Sequence, residues 1–104
     1  MRSHRTLAQV FARSETETAL GGRIVAWTLV GDLWMRLAPP QRREDGTGEA
    51  RPIATEKVLA ESGSDPRVQP GQRVDVGGVA WRLVHVDRDA PKMGRMTLTL
   101  TREL

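Results

Sequence analysis

Met96-Thr97-Leu98-Thr99-Leu100-Thr101 alternates strictly between apolar and hydroxyl side chains. Successive side chains of an extended chain point to opposite faces, so Met96, Leu98 and Leu100 fall on one side and the threonines on the other. This pattern describes a half-buried strand, and the same period of two recurs upstream. Residues 73–76 alternate and stop at Gly77-Gly78, after which residues 79–87 resume as a strand. Glycine accepts the positive φ of primed turns, so the pair reads as a tight hairpin. In its second strand Trp81 and Leu83 share a face while Val84 and Val86 take the other, which predicts two-sided burial or a bulge.

Working toward the N-terminus, residues 32–37 place Leu33, Met35 and Leu37 on one face, with Trp34 and Arg36 on the other. Residues 23–30 are apolar on both faces, as in a central or covered strand. Residues 7–12 open the pattern. Residues 53–60 fit a further strand, or a short helix through Ala54, Lys57, Val58 and Glu61. Leu20-Gly21-Gly22 and Gly31-Asp32 read as turns between strands. The longest stretch without periodicity is residues 39–52, PPQRREDGTGEARP, in which three arginines balance three acids. It reads as one long projecting loop.

These runs predict an all-β fold: a small barrel of six to seven short antiparallel strands with one long loop and room for a short helix in the middle. The 104 residues form a single domain, with residues 1–5 as a flexible start. The rings of Phe11, Trp27, Trp34 and Trp81 read as core anchors, Trp34 lying off the apolar face. Trp81, Leu83, Met96, Leu98 and Leu100 are expected to share one core.

The chain carries no cysteine, which removes disulfides, thiolate metal sites and cysteine nucleophiles and suits intracellular assembly. No apolar run approaches the about 20 residues of a membrane-spanning helix, and no apolar segment follows the basic start as in a signal peptide. No membrane partner is expected. The net charge of +3 is mild, and its excess lies near both ends rather than on one element. His4 and His85 have no converging ligands, Ser14, Ser62 and Ser64 have no histidine partner, and Gly46-Thr47-Gly48 lacks the lysine of a phosphate loop. No catalytic residue, metal or cofactor is expected, and Glu15 and Glu17 read as a solvated strand end.

Order and spacing carry more information than any single motif. Trp27 in the second strand is followed by Leu33-Trp34-Met35-Arg36-Leu37-Ala38-Pro39. Then come Gly71-Gln72-Arg73-Val74, the Gly77-Gly78 turn before Trp81 and Leu83, and a final alternating strand closing on Arg102. Over residues 7–103 this resembles the head–tail joining proteins of long-tailed phages and gene transfer agents, also called head-closure or stopper proteins. The stretch after Pro39 departs from that family, where it carries a short helix with aromatic residues.

The resemblance implies a non-enzymatic β-barrel that forms a homo-oligomeric ring, expected to be a hexamer, in a virion or phage-like particle assembled in the bacterial cytoplasm. The ring would dock under the portal and adaptor proteins and offer its far face to the tail terminator. A loop from each subunit would close the channel on the packaged double-stranded DNA. The long loop, with Arg42, Arg43, Glu44, Asp45 and Arg51, is the candidate DNA-facing segment, and residues 62–70 are the second candidate. Trp34, Arg36 and Arg82 are the candidates for subunit contacts. The alternatives are an SH3-like or OB-like barrel that binds nucleic acid, and the neighbouring tail-terminator ring.

Overall fold

The computed structural model describes residues 5–45, 53–88 and 94–104. These residues form seven strands: β1 (Arg5–Glu17), β2 (Arg23–Leu37), β3 (Gln41–Asp45), β4 (Ile53–Gly63), β5 (Arg73–Val76), β6 (Val79–Asp87) and β7 (Arg95–Glu103). All pairings are antiparallel, in the order β2-β1-β5-β6-β7-β4-β3, and a further β2–β4 pairing brings the sheet back on itself. The expected all-β, barrel-like architecture is therefore the one observed. No helix occurs among the described residues, and residues 53–60 are strand.

The alternation of β7 works as its sequence implies. Met96, Leu98 and Leu100 are fully buried, and Val58, Ala60, Val74, Trp81 and Leu83 meet them from neighbouring strands. At about 25 cal/mol per Å² of apolar surface removed from water, these side chains dominate the stability of so small a chain. Gly77 and Gly78 have φ of 61° and 76° and join β5 to β6 with Val76 opposite Val79, the geometry of a two-residue primed turn. Opposite β7, the register of β6 slips between Leu83 and His85, so Val84 is the extra residue of a bulge. That slip resolves the two-sided apolar pattern of β6.

Three expectations are corrected. Gly31-Asp32 is not a turn: β2 runs unbroken for 15 residues. Its register against β1 shifts between Val10 and Phe11, which leaves Val30 as a bulge residue. Gly31 takes no positive φ, and β1 continues along β2 on both sides of the bulge.

Residues 39–52 are not one loop. Gln41–Asp45 form β3, paired with β4 from Gln41↔Lys57 to Asp45↔Ile53. The end of β2 lies on the same edge of β4, from Met35↔Ser62 to Leu37↔Ala60. Between these stretches the register shifts by one residue, across Ala38-Pro39-Pro40. The Ala38 amide still donates to the Leu59 carbonyl at 2.8 Å. Thus β2 and β3 form one line along β4, interrupted where proline cannot donate. No apolar alternation marks β3, because it is a charged edge strand held by backbone bonds and an ion pair.

Third, only one ring is a full core anchor. Trp81 is buried and Phe11 half-buried, whereas Trp27 and Trp34 are 41% and 59% exposed. Both exposed rings stand on β2, on the face it shares with Leu7, Phe11 and Arg13 of β1.

The halves of β1 and β2 nearest their shared turn leave the closed sheet. β5 pairs with β1 only over Ala8–Phe11, and β4 reaches β2 only at residues 35–37. Residues 12–17 and 23–28 therefore form a two-stranded arm. At its tip the Thr18 amide donates to Gly22 O at 2.8 Å, and Thr18 Oγ1 accepts from the Gly22 amide at 3.0 Å. Gly21 takes the left-handed φ of 82°. The longest dimension of the molecule is 52 Å.

Candidate functional site

Three surfaces carry the residues of interest. The first is a row of side chains crossing β3, β4, β7 and β6. Arg42 lies directly across from Glu56, and Glu56 across from Arg102. Arg42 Nε donates to Glu56 Oε2 at 3.1 Å, and Arg102 Nε and Nη2 both donate to Oε1 at 3.3 Å. The Arg102 guanidinium lies 5.2 Å from the ring centroid of Trp81. Glu56 is only 5% exposed, so its charge needs a partner, and both arginines bond to it. The row adds a charge attraction to the backbone pairing by which the charged segment β3 lies along β4.

The candidate DNA-facing residues divide accordingly. Arg42, Arg43, Glu44 and Asp45 belong to β3, with the Arg43 carbonyl accepting from Thr55 Oγ1 at 3.4 Å. Arg51 lies outside the described residues. Arg42 serves Glu56 yet keeps its side chain 75% exposed.

The second candidate segment, residues 62–70, is fastened down. Val68 is buried in the core. Arg88 donates from Nη1 to Asp65 O and from Nη2 to Val68 O. Arg67 clamps Asp65 through its side chain and donates to Val30 O at 2.9 Å. The Arg67 hydrogen bonds hold the Asp65 carboxyl below the usual carboxylate range, and Asp65 in turn raises Arg67.

The second surface is an open groove of about 580 Å³ on the outer face, lined by Arg13, Trp27, Arg73, Trp81 and Arg82 among others. Arg73 stacks 5.5 Å from the Phe11 centroid and pairs with Asp75, which raises its pKa. Arg13 pairs with Glu15 at 2.6 Å. Arg82 stands directly across from Arg73 and is exposed, with no ion-pair partner among the described residues.

The third surface lies at the far end of β2. Arg36 Nε is buried with no hydrogen-bond partner among the described residues. Arg36, Leu37, Ala38, Leu59, Glu61 and Thr97 line a shallow outer groove there, and Trp34 stands exposed beside it in sequence. The three predicted contact residues thus do not converge: Trp34 and Arg36 mark one end of β2, and Arg82 the groove on β6.

Sequence reasoning missed Glu56, whose burial only the β3 pairing explains. It also missed the arm, whose apolar pattern is that of a covered strand. No group of three His, Cys, Asp or Glu side chains among the described residues is placed to hold a metal ion. His85 is exposed on β6 opposite Thr99. No helix of the described residues is long and apolar enough to cross a membrane.

What the fold and these surfaces define is a small closed antiparallel sheet with an extended arm, its charged residues arranged in rows and rims. No protein-family model matches the chain, and no curated protein sequence matches it. Solved structures share the fold. A chain from the virion of a native gene transfer agent particle superposes with a TM-score of 0.75 at 19% identity, covering 100% of this chain and 97% of that one. The phage-like element PBSX protein xkdH from Bacillus subtilis superposes with a TM-score of 0.63 at 7% identity, over 98% and 96% of the two chains. The order and spacing that resemble head–tail joining proteins therefore correspond to a fold found in phage-like particles.

Proposed function

We propose that this chain is a structural protein of a phage-like particle, acting at the joint between head and tail. In this reading it forms a hexameric ring between the portal–adaptor complex and the tail, retains packaged double-stranded DNA and presents the surface on which the tail terminator docks. Assembly of the particle takes place in the bacterial cytoplasm. The mechanism is assembly and gating, with no chemical step.

The observation that carries the reading is the end-to-end superposition on a chain of a gene transfer agent virion. The arm supports it, since a two-stranded ribbon with free edges gains stability from a neighbour. For the gate, the cross-tied residues 62–70 are the weaker candidate and the β3 region the stronger. Arg42 and Arg43 are held on an edge strand, with Arg51 beyond it in sequence. Six weak contacts repeated around a ring add up by multivalency and still release together.

The nucleic-acid-binding alternative has less support. Arg13 and Arg73, two arginines of the outer groove, are neutralised by Glu15 and Asp75. The test keeps β3 intact and replaces residues 46–51 with a Gly-Ser linker. Folding and incorporation into particles are expected to survive while packaged DNA leaks. Normal DNA retention would remove the gating role. Absence of the chain from the head–tail joint in a particle map would remove the connector reading itself.

A further inference from the structure

Two unpartnered surfaces lie at opposite ends of β2. At one end is the arm, where Leu20 is 99% exposed and Ile24 58%. Glu17, the last residue of β1, has no ion-pair partner among the described residues, because Arg13 and Arg23 both turn to Glu15. At the other end Arg5 and Arg36 stand directly across from each other. Like charges in such a pair repel unless an anion joins them. Glu61 stands directly across from Arg36 on β4, but its Oε1 accepts both bonds from Arg95 and it makes no ion pair with Arg36. Beside this pair, Ala38 and Leu59 are exposed in the shallow groove that Arg36 lines.

The two ends match in character: an unpaired carboxylate with an exposed leucine, and a pair of cations with an exposed apolar groove. The 15-residue strand β2 runs from Arg23 to Leu37, a distance of roughly 45 Å at about 3.3 Å per residue step. A contact between surfaces so far apart cannot be made within one chain. Between copies it is head-to-tail, the kind that closes into a ring when the rotation permits.

We propose that the arm of one copy docks at the far end of β2 on a second copy of this chain. Leu20 rests against Ala38 and Leu59, and Glu17 meets Arg36 and Arg5. The proposal rests on the ring reading above and names the surfaces that build the ring.

The chain has no cysteine, so engineered pairs report contacts without background. Particles assembled with the Leu20→Cys, Leu59→Cys double variant are oxidised and run on a denaturing gel, with each single variant alongside. A ladder of covalent multimers from the double variant, and monomers from each single variant, is the expected result. Dimers from Leu20→Cys alone would mean that arm meets arm and would overturn the proposal. Monomers from the double variant, in particles whose wild-type map shows a ring of this chain, would overturn the arm contact and leave the ring reading standing. A wild-type map with no such ring would overturn both. If the double variant fails to enter particles, charge exchange decides. Glu17→Arg and Arg36→Glu should each cut incorporation at least about tenfold, and their combination should restore it. Without restoration the proposal falls.

Discussion

The guanidinium of Arg67 occupies the space that a side chain on Gly31 would fill. Nη2 lies 3.0 Å from where a Cβ on Gly31 would stand, and Nη1 donates to the carbonyl of Val30 at 2.9 Å. The bulge in β2 is thus capped by a residue 37 positions away in the chain. Gly31→Ala should therefore destabilise the wild-type chain by about 1 kcal/mol, the value of a displaced hydrogen bond. In an Arg67→Met background the same change should be neutral or stabilising by up to about 1 kcal/mol, because alanine restricts the unfolded chain. A double-mutant cycle by urea melts checks the sign change. Equal effects in both backgrounds would show that the two residues are independent.

Leu98 is fully buried at the centre of β7, between β4 and β6. Leu98→Ala should cost about 2–5 kcal/mol, the range for truncating a buried leucine. Thr99→Ala, one residue on and facing outward, should change stability by less than about 1 kcal/mol. Urea melts of both variants test the register of β7. A loss below about half a kcal/mol at Leu98 would refute it.

How far the sequence carries the fold follows from which interactions leave a periodic trace. Burial does: Met96, Leu98, Leu100, Trp81 and Leu83 share a core, as their spacing requires. Turn chemistry does as well, at Gly77-Gly78. Pairing held by backbone and charge leaves no such trace. Gln41–Asp45 has no apolar residue, and Glu56 becomes its anchor only once β3 lies beside β4. Apolar content also misleads in the arm. Ile24, Val25 and Trp27 have the composition of a covered strand, yet they are 58%, 45% and 41% exposed. An apolar pattern on an exposed ribbon reads the same as one directed at the core. At the candidate site, Trp34 stands out in the sequence because it lies off the apolar face and Arg36 because it interrupts a strand near a tryptophan, while Glu17 and Leu20 look like an ordinary solvated turn.

Asp65 gives the chain an acid-sensitive latch. Its Oδ1 accepts from the Arg67 amide at 2.9 Å and Nε at 3.1 Å, and its Oδ2 from Nη2 at 2.9 Å. These bonds lower its pKa in the folded state. A depressed folded pKa contributes stability that is complete above the ordinary carboxylate value and is lost as pH falls through the folded value. Asp65→Asn should therefore be less stable than wild type at pH 7, by under about 1 kcal/mol because the pair is partly solvated. The two proteins should converge in acid. Thermal melts from pH 7 to pH 2 check this, and a constant difference across the range would assign the effect to something other than titration of Asp65.

The Arg42–Glu56–Arg102 row makes a prediction about β3 rather than about the core. Glu56 is buried, while Arg42 and Arg102 reach it from strands on either side, with side chains 75% and 32% exposed. Glu56→Gln keeps the shape and removes the charge, leaving two cations facing each other across a neutral amide. Hydrogen bonds to charged groups are worth about 1.5–3 kcal/mol, so a loss of about 1–3 kcal/mol is expected. Arg42→Met should cost less than about 1 kcal/mol, because its charge is well solvated. Arg102 keeps its place over Trp81 and still neutralises Glu56. The two variants should nevertheless share one effect. Each removes the charge attraction that fastens Gln41–Asp45 to β4, so the amides of β3 should exchange hydrogen faster while those of β7 next to Leu98 stay protected. Hydrogen exchange resolved by residue distinguishes this from general loosening. If β3 keeps its protection in Glu56→Gln, backbone pairing alone holds the strand and the ion row is an accessory to it.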